Sequence, residues 1–251
     1  MGGNMKQQEC EKIEIMNIPI YNVTMTEALQ QLEHFSKGER VHRVFTPNPE
    51  IIMLARENTK LSSILKEADL VVPDGIGVVI ASKLMKGSSL KERVAGYDMV
   101  QNTMKQAVSK GYKYYFFGSK PGVAEKAAEE MRKTYPGIQI VGTHDGYFKP
   151  EESEQIVEDI NKSGANILLV ALGAPKQELW IEENKKKLTH VRVAIGVGGS
   201  LDVMAGMVKR APLIYQKLGL EWFYRLIKEP TRFGRMLVLP KFLIYILLGK
   251  Q

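Results

Sequence analysis

Short apolar runs alternate with amphipathic segments over the first 208 residues. The apolar runs are bounded by Gly, Pro, Asn or Asp, which is typical of strands between turns. Between them, apolar residues recur at helical spacing, and Thr24 with Glu27 forms a capping box ahead of one such segment. The predicted strands cover 12–20, 41–46, 70–72, 113–117, 138–141, 167–172 and 191–197. The predicted helices follow the capping box and cover 49–56, 76–85, 98–110, 123–134, 151–162 and 176–188.

This alternation predicts an α/β fold built on a doubly wound, mostly parallel, Rossmann-like sheet with helices on both faces. There is no internal repeat and no low-complexity linker, so we expect one α/β domain over residues 1–208. Residues 209–251 differ in charge. They hold nine of the 35 basic residues and two of the 28 acidic ones, and so account for the whole net charge of +7. We therefore predict a C-terminal basic helical appendage.

The appendage is predicted to contain two helices, 212–228 and 231–248, separated at Glu229 and Pro230. Aromatic residues are interleaved with its cations, and the final apolar run is broken by Pro240 and Lys241 and is too short to span a bilayer. This pattern is typical of a segment that lies on an anionic membrane surface. The alternative is a helix pair packed on the core with solvated cations. Three arginines share a face on continuous helical geometry: Arg225, Arg232 and Arg235.

Cys10 is the only cysteine, so a disulfide within the chain is excluded and a reducing compartment is the simplest interpretation. The first twelve residues are polar and lack the apolar core of a signal peptide, so none is expected. The single cysteine, the polar first residues and the basic appendage together predict a cytoplasmic protein that associates peripherally with the inner face of the cell membrane.

Six loops follow the predicted strands and meet at one edge of the predicted sheet. In doubly wound sheets ligands bind at the carboxyl ends of the strands, so these loops form the candidate site. Any one of them is equally explained as an ordinary turn, because Gly, Pro, Asn and Asp make turns and helix caps. Their convergence is the stronger signal. The loops are 46–48, 73–77, 118–122, 143–147, 173–178 and 196–200.

The motifs of several nucleotide-binding classes are missing. The two G-x-G sequences at 75–77 and 196–198 lack the third glycine of the dinucleotide fingerprint, and 118–122 is not followed by the Walker lysine. No Asp-x-Asp pair and no spaced His ligands are present, so we expect neither a metal nor another cofactor. A bound phosphate would then be held by backbone amides and basic side chains, for which the loop at 196–200 is suited.

Asp74 is the acid best placed for chemistry, because it follows an apolar strand at the mouth of the predicted sheet. A carboxylate there can be partly desolvated and can act as a general base. The competing interpretation is a Pro-Asp-Gly turn in which Asp74 caps the next helix. Thr46 and Asn48 on the neighbouring loop could orient a sugar, although Asn48 before Pro49 is also a normal helix entry.

These stretches resemble the TagA/WecG/CpsF family, glycosyltransferase family twenty-six, nearly end to end. The matching segments are 46–48 (TPN), 68–77 (ADLVVPDGIG), 92–98 (ERVAGYD), 142–148 (GTHDGYF), 170–178 (VALGAPKQE), 196–202 (GVGGSLD), 209–212 (KRAP) and 221–235 (EWFYRLIKEPTRFGR). The resemblance implies a metal-independent, inverting glycosyltransferase. It would move N-acetylmannosamine from UDP-ManNAc to undecaprenyl-diphosphate-linked GlcNAc, in the synthesis of the wall teichoic acid linkage unit.

The resemblance also implies roles for individual residues. Asp74 would be the catalytic base, Thr46 and Asn48 would line the sugar pocket, and Arg93 and Gln177 would assist at the reacting centre. The three appendage arginines, Arg225, Arg232 and Arg235, would engage the acceptor's diphosphate at the membrane. The residues implied to bind the UDP-sugar are Gly118, Tyr147, Gly173, Pro175, Lys176, Glu178, Gly196, Gly198, Gly199 and Asp202.

Three alternatives remain at this level. One is a related UDP-hexosamine or uronate transferase of the same family that acts in another surface polysaccharide pathway. The second is a nucleotide-dependent oxidoreductase, disfavoured by the missing glycine. The third is a non-catalytic module that binds nucleic acid or membrane through its basic end. The favoured interpretation expects UDP-ManNAc, the polyprenyl-diphosphate acceptor and an anionic membrane as partners, and no nucleic acid. A homo-oligomer is compatible with it, since nothing in the sequence counts subunits.

Overall fold

The computed structural model describes residues 10–85, 87, 89–228, 234 and 237–249, with only the backbone for Lys217 and Arg225. Its centre is a six-stranded, fully parallel sheet in the order β4–β3–β8–β7–β5–β6. The strands are β3 (His42–Phe45), β4 (Leu70–Val71), β5 (Lys113–Gly118), β6 (Gln139–His144), β7 (Ile167–Ala171) and β8 (Val193–Gly196).

Helices cover both faces of the sheet, which confirms the predicted fold class. Successive strand residues point to opposite faces, so Tyr114 and Phe116 join one buried cluster while Tyr115 and Phe117 join the other. The helices are α1 (Met25–Ser36), α2 (Pro49–Glu57), α3 (Thr59–Lys66), α4 (Ile76–Leu84), α5 (Gly96–Lys105), α6 (Ala107–Lys110), α7 (Val123–Thr134), α8 (Ser153–Ser163), α9 (Lys176–Asn184) and α10 (Ser200–Met204). A short 3₁₀ turn, Pro150–Glu152, precedes α8.

The single strand predicted over 12–20 is wrong. The structure has an antiparallel hairpin of β1 (Lys12–Ile15) and β2 (Ile18–Tyr21), separate from the main sheet. Met16 and Asn17 form the turn with φ of 51° and 62°, the left-handed pair that matches the twist of a two-residue hairpin. Helix α3 was not predicted either, although Asn58 caps it by accepting a hydrogen bond from the Leu61 amide. The capping box at Thr24 is confirmed.

The C-terminal region forms helices α11 (Leu213–Lys217), α12 (Glu221–Lys228) and α13 (Val238–Leu247). The continuous helix predicted over 212–228 is wrong, because Gly219 with φ of 70° ends α11 and redirects the chain. Phe242 on α13 is fully buried in the core cluster that contains α2 and α3. Among the described helices, none combines the length and hydrophobicity needed to cross a bilayer. Arg232 and Arg235 lie outside the described residues.

Candidate active site

The sheet has two positions at which neighbouring strands send their connections in opposite directions. One lies between β3 and β8, because β3 leads outward to β4 whereas β8 is reached from β7 on the other side. The second lies between β5 and β7, since β5 leads to the edge strand β6 and β7 leads inward to β8. Ligands of doubly wound sheets bind at such points. A cavity lies at each of them.

The first cavity has a volume of about 280 Å³ and collects all five residues that the family resemblance placed at the reacting centre. They come from the ends of β3 and β4, from the segment before α5 and from the start of α9. Three of the predicted glycines lie in the same wall. The predicted residues in this cavity are Thr46, Asn48, Asp74, Arg93, Gln177, Gly196, Gly198 and Gly199.

Asp74 lies at the rim of the sheet, with its side chain 31% exposed and its backbone amide donating to the carbonyl of Pro47. Helix α4 begins after Gly75, which occupies its N-cap position. The Arg93 Nε lies 3.8 Å from Asp74 Oδ1. The carboxylate therefore faces the cavity beside a cation and is not buried in the core.

The neighbouring loop combines a structural and a lining role. Asn48 is the N-cap of α2, and its Oδ1 accepts a 3.0 Å hydrogen bond from the Ile51 amide while the residue also lines the cavity. Thr46 packs against Gly96, where a Cβ would lie only 2.7 Å from Thr46 Oγ1. The Asn48 side chain is therefore held by a backbone amide, and the Thr46 side chain leaves room beside it only for glycine.

Gln177 ties the start of α9 to the glycine turn after β8. Its Oε1 accepts from the Gly198 amide at 3.0 Å, and its Nε2 donates to Glu178 Oε1 at 2.9 Å. Glu178 is 1% exposed, and this burial raises the pKa of its carboxyl group. Its Oε2 has no hydrogen-bond partner among the described residues. Because Gly198 N–H is engaged by Gln177, it holds the turn in shape and is not a free donor.

The second cavity is larger and more open, with a volume of about 1230 Å³. Lys120, Lys149 and Lys176 line it together with three acidic residues, Glu152, Glu183 and Asp202. Asp202 accepts a 3.1 Å hydrogen bond from the Ser119 hydroxyl. Gly198 and Gly199 line both cavities, so one glycine turn separates them. The predicted donor-site residues found here are Tyr147, Gly173, Lys176, Gly198, Gly199 and Asp202.

Three residues expected to contact the UDP-sugar, Gly118, Pro175 and Glu178, line neither cavity of the described chain. Gly118 has φ of 124°, and a Cβ there would lie 2.5 Å from the carbonyl oxygen of Ala171, so it lets β5 and β7 approach closely. Pro175 precedes the first turn of α9. A direct contact of these three residues with the UDP-sugar stays a prediction.

A charged network at the first cavity was not anticipated. Glu221 of α12 accepts a hydrogen bond from Arg93 Nη2 and a second one, of 3.2 Å, from Arg210 Nε. Arg210 also donates two hydrogen bonds, of 2.6 and 2.7 Å, to Asp98. Arg210 also stacks over the Tyr97 ring, 4.8 Å from its centroid. The available signal was the family resemblance, whose segments 92–98, 209–212 and 221–235 contain these residues.

The comparison with known families decides the assignment. The model of the glycosyl transferase WecG/TagA/CpsF family matches residues 13–251. The chain belongs to this family. The resemblance seen in the sequence is thereby confirmed, and the chain is a glycosyltransferase with its two cavities at the carboxyl edge of the sheet.

Two relatives of the family carry the same name, N-acetylglucosaminyldiphosphoundecaprenol N-acetyl-beta-D-mannosaminyltransferase. The protein from Bacillus spizizenii strain W23 is 39% identical over 204 residues, which cover 81% of this chain and 78% of the relative. The protein from Bacillus subtilis strain 168 is 37% identical over 234 residues, which cover 93% of this chain and 90% of the relative. The chain is therefore similar to mannosaminyltransferases over nearly its whole length.

Proposed function

We propose that this glycosyltransferase moves N-acetylmannosamine from UDP-ManNAc to polyprenyl-diphosphate-linked GlcNAc, as a step of wall teichoic acid linkage-unit synthesis. The names of the two relatives support the transferred sugar and the lipid-linked acceptor, and the UDP carrier is part of the proposal. The observation that carries the proposal is the arrangement of the two cavities. A small one with a carboxylate at its rim adjoins a larger one lined by lysines, across one glycine turn.

In this proposal the sugar occupies the first cavity and the nucleotide the second. Asp74 takes the proton from the acceptor hydroxyl, and the resulting oxygen nucleophile attacks the anomeric carbon from the face opposite UDP. The bond to UDP breaks with inversion, and the proton stays on the carboxyl group of Asp74. Thr46 and Asn48, fixed by their backbone neighbours, orient the sugar.

The diphosphate that leaves gains negative charge as the glycosidic bond breaks. Lys120, Lys149 and Lys176 supply positive charge on the nucleotide side, where they stabilise this charge. We propose that they act there without a metal ion. Gly199 has no side chain within the shared turn, so its backbone can approach the diphosphate closely.

The acceptor is a lipid, and the C-terminal helices are proposed to bring the site to the cytoplasmic face of the membrane. Large apolar side chains remain exposed there beside the cations. Such a surface is typical of helices that lie in the membrane interface. Arg225, Arg232 and Arg235 are proposed to contact the acceptor's diphosphate. The exposed apolar residues are Leu213, Ile214, Leu218, Phe223, Ile227, Leu237, Ile244, Leu247 and Leu248.

Calorimetric titration with UDP tests the donor site. We expect the same dissociation constant with and without EDTA, and about tenfold weaker binding for Lys176→Gln, because a charge-assisted hydrogen bond contributes about 1.5 kcal/mol or more. Lys162→Gln, which removes an exposed cation from α8, is the matched control and should bind as the wild type does. Loss of binding in EDTA would contradict the metal-independent site. Binding of NAD(P)H in place of UDP would favour the oxidoreductase.

Sedimentation with anionic liposomes tests the membrane assignment. The triple change Arg225→Gln, Arg232→Gln and Arg235→Gln should weaken partitioning about 100-fold, because each cation near such a surface contributes about 1 kcal/mol. The control removes three exposed lysines from α7 and α8, Lys126, Lys133 and Lys162. Equal loss in both variants would indicate nonspecific charge attraction instead of a membrane-binding segment.

A further inference from the structure

We infer that Glu221 is a positioning residue of the transferase, through which the C-terminal segment holds Arg93 in its working orientation beside Asp74. The inference rests on the proposed function. It goes beyond that function because it gives a role to Glu221, a residue of α12 that does not belong to the loops at the sheet edge. It assigns a task to a carboxylate that lines the first cavity without being a candidate base.

The geometry forms a chain of alternating charges across the cavity wall. Asp98 at the start of α5 holds Arg210 with a two-pronged pair of hydrogen bonds. Arg210 Nε donates to Glu221 Oε1, and the other oxygen of Glu221 accepts from Arg93 Nη2. Arg93 Nε, on the same edge of the guanidinium as Nη2, lies 3.8 Å from Asp74 Oδ1. Each charge in this chain fixes the next.

Burial makes this network sensitive to the loss of one member. The side chains of Glu221 and Arg93 are only 12% and 19% exposed. Desolvation opposes the charged form of Glu221, but Arg93 and Arg210 more than offset it, and the pKa of Glu221 is lowered. Glu221 therefore remains a carboxylate. Removing one partner from such a network leaves a poorly solvated charge that must find another partner.

The carboxylate nearest to Arg93 after Glu221 is Asp74, which it already faces at 3.8 Å. Arg93 Nε is buried and has no hydrogen-bond partner among the described residues, so the guanidinium presents an unused donor next to the proposed base. Arginine and carboxylate groups prefer the two-pronged arrangement. Without Glu221, Arg93 would be free to rotate into that arrangement with Asp74 and occupy the oxygen needed for the acceptor's proton. Glu221 prevents this by occupying Nη2, the second nitrogen that a two-pronged contact through Nε requires.

The experiment compares Glu221→Gln with a matched carboxylate elsewhere. Glu182 also bridges two cations, Arg43 at 2.5 Å and Lys185 at 2.7 Å, and its side chain is 24% exposed, but it lines neither cavity. For each purified full-length variant we would measure kcat with UDP-ManNAc and a lipid-linked GlcNAc acceptor, the UDP dissociation constant, and Tm. Glu221→Gln should lower kcat about 10- to 100-fold with UDP binding unchanged, as expected for a misplaced group at a reacting centre. Glu182→Gln should keep kcat.

Two further variants separate positioning from general stability. Glu221→Asp retains the charge and should recover part of the kcat that Glu221→Gln loses. Asp98→Asn loosens Arg210 and should lower kcat less, and combining it with Glu221→Gln should add little, because both act through the same chain of pairs. If Glu221→Gln does not fold, Asp98→Asn and Glu221→Asp carry the test with the same expected direction.

The outcomes distinguish this inference from the proposed function. A wild-type protein that shows no transfer would contradict the proposed function itself. Normal transfer by the wild type, with Glu221→Gln and Glu182→Gln equally active, would overturn the inference alone. A loss of UDP binding in Glu221→Gln that matches its loss of kcat would also overturn it, since it would place Glu221 in the nucleotide site.

Discussion

Replacing Asp74 with asparagine is expected to lower kcat by about 100- to 10,000-fold, the range that a general base typically contributes. Asparagine has nearly the same shape but cannot accept the acceptor's proton. The fold should persist, because Asp74 lies at the cavity rim with its side chain 31% exposed. UDP binding should persist as well, since the lysines of the second cavity are unchanged. Steady-state transfer to a lipid-linked acceptor measures kcat, and UDP calorimetry measures the binding of the nucleotide.

Glu50 provides the comparison for this experiment. It is a second carboxylate in the wall of the same cavity, at the start of α2. Glu50→Gln should retain most of the activity if Asp74 is the base. A large loss of activity in Glu50→Gln with normal turnover in Asp74→Asn would assign the role of general base to Glu50. The other residues of the proposed site would keep their roles.

Replacing Phe242 with alanine is expected to lower the free energy of unfolding by about 3–5 kcal/mol. Phe242 is fully buried, and α13 packs against α2 and α4. Removal of the ring would leave a cavity between the last helix and the body. Denaturant unfolding followed by circular dichroism measures the change, and the loss should appear as a lower midpoint of the same transition.

Ile244 on the same helix is the control, because its side chain is 53% exposed. Ile244→Ala should change stability by less than about 0.5 kcal/mol. A separate early transition in Phe242→Ala, with the main midpoint unchanged, would show that α13 unfolds independently of the body. That result would support a C-terminal appendage that is only loosely attached. The packed position of α13 would then be one of two positions that this helix adopts.

The sheet was readable from the sequence because its strands are continuous apolar runs. Residues Ile167–Ala171 are buried throughout, as a central parallel strand requires, and the loops after such strands had to meet at one edge. The hairpin at 12–21 was missed because its turn has Met16 in a left-handed conformation, where glycine or asparagine is the usual signal. Backbone conformation of this kind is not marked by hydrophobic pattern.

Within the site, the sequence did not separate lining residues from supporting ones. Gln177 and Glu178 are adjacent in one motif, yet successive helical residues point about 100° apart, so one lines the cavity and the next is buried behind it. The contact between Arg93 and Glu221 joins residues 128 positions apart. Many acids and bases in the chain could form such a pair, and only the folded arrangement selects this one.

The glycine turn at Gly198 and Gly199 separates the two cavities, and the remaining walls of each cavity come from different loops. The first cavity is built largely by the ends of β3 and β4, and the second by the loops after β5, β6 and β7. Under the proposed function, residues that choose the sugar can therefore change without disturbing those that hold the nucleotide. A transferase for a different sugar would then need substitutions around the first cavity and none around the second.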